Sequence, residues 1–65
     1  MIASHPIDAN GVFIGAAVRL SQGYRFVAVD LRVEELDGSI WPTLDDARRL
    51  ARHLYTTGRL PTRSH

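Results

Sequence analysis

Two dipeptides constrain this chain more than anything else in it: Asn10-Gly11 and Asp37-Gly38. Both central positions of a type I′ turn need positive φ, so each dipeptide marks a point where one strand doubles back on another. A weaker turn signal, Gln22-Gly23, divides the stretch between them. Three turns along one run of β-branched and apolar residues predict an antiparallel meander, with strands over 5–9, 12–20, 24–36 and 39–41. Pro6 and Pro42 fall in or beside the short outer strands, where a missing N–H does least harm.

Register can be read from parity, because successive strand residues face opposite ways. Pairing Leu20 with Arg25 sets Val18 opposite Val27, Ala16 opposite Val29, Ile14 opposite Leu31 and Val12 opposite Val33. The Asn10-Gly11 turn adds Ile7 opposite Ile14, and the Asp37-Gly38 turn brings Ile40 to the same side. One sheet face is therefore aliphatic. A helix to cover it follows at once: Thr43 suits the N-cap, and Asp45 and Asp46 complement the dipole in the first turn. Leu44, Ala47, Leu50, Ala51, Leu54 and Tyr55 form a stripe at helical spacing. Gly58 suits the C-cap and Pro61 forbids continuation. The expected fold class is α+β: a three- to four-stranded antiparallel meander followed by one C-terminal helix packed on one sheet face. It forms a single domain over 1–65, with an ordered core at 5–58 and a mobile tail at 59–65.

The opposite face is not polar, as one helix per sheet would require. It carries Phe13, Ala17, Tyr24, Phe26, Ala28 and Trp41, interleaved with Arg19, Asp30, Arg32 and Glu34. Strands apolar on both sides are usually covered on both sides. A chain of 65 residues with no cysteine has neither disulfide nor thiolate metal site to reinforce a small core. A homodimer is thus expected, by face stacking or by strand pairing, with Phe13, Tyr24, Phe26, Ala28 and Trp41 as its interface.

Charge is distributed unevenly. Residues 1–43 hold three arginines against five carboxylates, a balance of −2, whereas residues 44–65 hold five arginines against two, a balance of +3. Such asymmetry fits either a surface for an acidic partner or a solvated helix with a basic tail. No cofactor or metal site is expected. His5 and His65 lie near the ends, and His53 falls on the polar helix face. The adjacent Asp45 and Asp46 point apart on a helix and serve its N-terminus and the arginines at i+3 and i+4. The chain reads as a non-enzyme. Met1–Pro6 lacks the pattern of a signal peptide, and no apolar run approaches the roughly 20 residues of a membrane span, which leads to the expectation of a cytoplasmic protein.

The segment Trp41-Pro-Thr-Leu-Asp-Asp-Ala-Arg-Arg-Leu-Ala51, opening a helix after strands, resembles two small families. One is the amino-terminal DNA-binding domain of phage-type integrases, whose Thr-x-x-acidic-Ala signature Thr43, Asp46 and Ala47 match. The resemblance implies a sheet laid in the major groove and would implicate Arg19, Arg32 and Arg25. The other is the HicB-like antitoxins, whose similar sheet-plus-helix module dimerises. Two functional expectations result. The first is a small homodimeric DNA-binding regulator of transcription or of a mobile element, with Arg48, Arg49, Arg52 and Arg59 on phosphates and Arg19 and Arg32 reading bases. The second is a protein-interaction module, antitoxin-like or an assembly adaptor, that does not touch nucleic acid.

Overall fold

A computed structural model describes residues 3–60, so the stretch 61–65 of the expected tail, with Arg63 and His65, lies outside the described residues. Four strands, β1 (Ser4–Ala9), β2 (Val12–Leu20), β3 (Gly23–Ala28) and β4 (Ile40–Trp41), form one antiparallel sheet in chain order, and helix α1 (Leu44–Thr57) packs across it. The α+β meander-plus-helix architecture is as the turn signals and the helical stripe predict. Asn10 and Gly11 take φ of 53° and 80°, the positive pair a type I′ turn needs. The Thr43 hydroxyl accepts from the Asp46 N–H at 3.1 Å, and Gly58, at φ 79°, donates its N–H to the Leu54 carbonyl. Beyond that cap, Leu60 packs partly buried against the core.

Four details differ from expectation. The third strand stops at Ala28 rather than reaching residue 36, and Leu31–Leu36 form a 3-10 helix. Asp30 starts it by accepting from the Arg32 N–H at 2.8 Å. The alternation Val29, Leu31, Val33 imitates a strand, but the side chains that become buried are Val33 and Leu36, three apart, the spacing that shares a face in a 3-10 turn. The Asp37-Gly38 turn consequently joins the 3-10 helix to β4. The second difference is register: Leu20 pairs with Gly23 and Val18 with Arg25, across a loop of only Ser21 and Gln22. This is a slip of two residues from the expected pairing, so parity survives although every partner changes.

The third difference decides the molecule's layering. Helix α1 covers the aromatic face, not the aliphatic one. Ala17 and Phe26 are fully buried, with Tyr24, Ala28 and Trp41 packed partly buried around them. Four of the five residues expected at a dimer interface are therefore occupied inside the monomer. Aromatic side chains bury roughly 150–250 Å² each, so a helix gains more by covering Tyr24, Phe26 and Trp41 than by covering valines. Ala47 and Ala51, one turn apart and buried on α1, are small enough to let the helix backbone come close to that bulky surface.

Gly15 makes the arrangement possible: a Cβ there would run into the Phe26 ring and lie 2.7 Å from the Val27 carbonyl oxygen. Trp41 is accommodated with its polar handle satisfied, since Nε1 donates to Ser39 Oγ at 2.7 Å and that hydroxyl donates to the Leu36 carbonyl at 2.6 Å. A β-bulge completes the face. Ile7 pairs with Gly15 and Asp8 with Phe13, which leaves Ile14 as an extra residue in β2. The bulge is the fourth difference: Ile7 and Ile14, expected on the aliphatic face, are buried beneath the helix, and Phe13, expected among the aromatics, returns to the far side, 52% exposed. The Ile14 carbonyl accepts from both the Val29 and Asp30 N–H groups where β3 ends.

Removing a buried Phe costs about 3–5 kcal/mol, as much as a core of this size supplies. Phe26→Ala should therefore be largely unfolded by circular dichroism at 25 °C, whereas Phe13→Ala should shift a urea unfolding curve by under about 1 kcal/mol.

Candidate functional site

With α1 on the aromatic face, the aliphatic face of the sheet is left uncovered. Parity places Pro6 of β1, Ala16, Val18 and Leu20 of β2, Arg25 and Val27 of β3, and Ile40 of β4 on it, and the bulge adds Phe13. Val27 and Ile40 stand 41% and 46% exposed, and Val29 and Leu31 extend the apolar surface past the end of β3. Two charged side chains of the strands share this face with them: Arg25, and Asp8 beside Phe13 at the β1 edge. At one rim, Val18, Leu20, Arg25 and Val27 bound a shallow depression of about 430 Å³ closed by the Asp37-Gly38 turn. Asp37 lies there because its Oδ1 accepts from the Ala28 N–H at 2.9 Å, filling a backbone position that β4 is too short to reach.

The arginines expected to hold DNA are distributed around the molecule. Arg19, at the end of β2, lies over the Tyr24 ring at 5.6 Å, and His5 meets the same ring edge-on at 5.9 Å between centroids. Arg32 sits in the 3-10 helix with its guanidinium 5.0 Å from the Tyr55 ring. Neither reaches the open sheet face, and they do not converge with each other. Arg49 pairs with Asp46 at 2.9 Å within α1. Arg52 donates through Nε to the Asp8 carbonyl at 2.7 Å and lies 3.6 Å from the Asp8 carboxylate, tying the helix to the hairpin of β1 and β2. Arg48 is half-buried one turn before it, and Arg59 is exposed after the C-cap. Four of these six side chains thus have intramolecular partners. His53 is exposed on α1, and its carbonyl accepts from the Thr57 hydroxyl at 2.9 Å.

Among the described residues no group of three or more His, Cys, Asp or Glu converges as metal ligands would, and no polar or charged residue is buried. No described helix is long and apolar enough to cross a membrane. No protein-family model, curated protein or solved structure matches the chain.

Val18, Val27 and Ile40 were visible in the sequence as one face but were assigned to the core. Asp37 was read only as a turn residue, since nothing in its local pattern signals that it would cap a strand edge and line a depression. Arg25 carried a parity signal that placed it with the valines.

The Arg52 contacts are exposed, so their worth is modest, about 1 kcal/mol. Arg52→Ala should lower the unfolding free energy by that amount in urea titration, and Arg49→Ala by under about 0.5 kcal/mol, the usual worth of an exposed helical pair.

Proposed function

We propose that the chain is a non-catalytic protein-interaction module that works through the open face of its sheet. The observation that carries this reading is the contiguous surface of Phe13, Ala16, Val18, Val27 and Ile40, each an ordinary core residue type held on a rigid strand and left facing water. Fully burying one Val, Leu, Ile or Phe side chain is worth roughly 1.5–3 kcal/mol. Several such side chains, each about half exposed, supply a driving force for association without any rearrangement of the monomer. Sheet residues are also better fixed than loop residues, so the surface reaches a partner already ordered.

The competing reading is DNA binding through Arg48, Arg49, Arg52 and Arg59, with Arg19 and Arg32 as base readers. A groove reader needs its basic side chains on the element that enters the groove. Here Arg25 is the one basic side chain that the strands place on the open face, and the other described arginines are spread over the helix, the turn after it, the 3-10 helix and the far end of β2.

A photo-crosslinking residue in place of Phe13 distinguishes the two. In cells that make the chain, position 13 should form protein adducts on irradiation, and the same group in place of His53 should not. The purified chain should show no duplex-DNA affinity of the kind that weakens steeply with salt. DNA binding that is salt-steep and abolished when Arg48, Arg49 and Arg52 are all changed to Ala, with no protein adduct from position 13, would overturn the proposal.

A further inference from the structure

The open-face reading leaves the partner's identity undetermined, and resting on that reading we infer that the occupant is a second copy of this chain, stacked sheet to sheet about a two-fold axis. The alternative way for two such sheets to meet is edge to edge, and both edges are obstructed. The Ala3 carbonyl accepts from the Arg19 N–H, and the register continues through His5 with Ala17. Hydrogen-bonding positions toward β2 therefore fall on residues 3 and 5, and the nitrogen of Pro6 points to the outer edge, where it has no hydrogen to offer. The other edge is a strand of two residues, and beyond it the Ala28 N–H is already taken by Asp37. A two-layer unit with closed edges associates through its uncovered face.

The charges on that face fit a copy of itself. Arg25 and Asp37 stand on the rim of the same depression, and among the described residues neither takes part in an ion pair. In a two-fold interface, a contact from residue i to residue j is matched by one from j to i. Stacking that sets Arg25 against the partner's Asp37 therefore creates the opposite-charge pair twice, around a centre of Val18 and Val27. A partner surface of one sign would meet one attraction and one repulsion at the same rim.

The area is of the order that a specific interface needs. Nine residues of β2 at about 3.3 Å each, with neighbours about 4.8 Å away, give a projected face of roughly 400 Å². Two such faces, with side-chain relief added, approach the roughly 1,000 Å² of total buried surface at which specific interfaces begin. The expected product is a four-layer assembly, helix–sheet–sheet–helix, with its sheets about 10 Å apart, and an equilibrium that depends on concentration.

Sedimentation velocity of the full chain from about 1 μM to about 1 mM tests this directly. The mass should rise from one chain to two. Val27→Asp should weaken the association by at least about 100-fold, the loss of a central apolar contact, with an unchanged circular dichroism spectrum. Arg25→Asp and Asp37→Arg should each weaken it, and an equimolar mixture of those two variants should recover it, because both cross pairs are then again of opposite sign. Should Asp37→Arg fail to fold, Asp37→Asn keeps the acceptor for Ala28 and should still weaken the dimer several-fold. A wild-type chain that stays monomeric at about 1 mM, or a Val27→Asp variant that dimerises normally, overturns the second copy as occupant. If the position-13 crosslink then joins a different protein, the open-face reading survives that result, and if it joins none, both fall.

Discussion

The ring of Phe26 lies fully buried between the sheet and the helix, in space that exists because the neighbouring strand carries glycine at position 15. Most of the structure depends on that contact. The ring stands on one side of a central strand, and the helix must come to that side to cover it. Ala47 and Ala51 then become the right size for inward positions, since larger residues there would hold the helix off the ring. Tyr24 and Trp41, cross-strand partners on the same face, flank the ring and complete the layer. The apolar side chains on the reverse of the sheet are left exposed by the same choice, so the candidate interaction surface follows from the core.

The bulge at Ile14 adjusts the division between the two faces. Without it, strict alternation would place Phe13 with Ala17 beneath the helix and Ile14 with the valines outside. One extra residue exchanges them, so that the inner layer receives a compact Ile and the outer layer a large aromatic. Bulges sharpen local twist and re-aim side chains, and here the effect is to place the largest apolar group of the open face near the hairpin of β1 and β2.

Much of the fold was legible in the sequence, for identifiable reasons. Asn10-Gly11 dictates its own geometry, and the Thr43 and Gly58 caps are local devices whose hydrogen bonds lie within four residues. The parity of β3 and of β2 from Gly15 onward was also correct, since a slip of two residues preserves it, and the bulge reversed it at Ile14 and Phe13. What could not be read was which face the helix would choose. Both faces satisfy an apolar criterion, and the choice turns on the volume of Phe26 against Gly15, a contact between strands that no periodicity records. The 3-10 helix was hidden because Val29, Leu31 and Val33 alternate like a strand, while Asp30, which ends that strand by capping, resembles any polar outward residue. For the site, Val18, Val27 and Ile40 were grouped correctly and assigned to the wrong role, whereas Ile7 and Ile14, expected beside them, lie in the core and Phe13 takes the open side. The arginines were noted for their type, and their partners, Tyr24, Tyr55, Asp46 and Asp8, come from three different elements.

Everything proposed for the open face depends on the helix covering the other one. The most direct measurement is the set of nuclear Overhauser contacts between the Phe26 ring protons and the methyl groups of α1 in the isotope-labelled chain. Cross-peaks from that ring to the methyls of Ala47, Ala51 or Leu54, with none from the Val18 or Val27 methyls to α1, are the expected result. Contacts from Val18 and Val27 to α1, with the Phe26 ring open to solvent, would place the helix on the opposite face and contradict the account at its foundation.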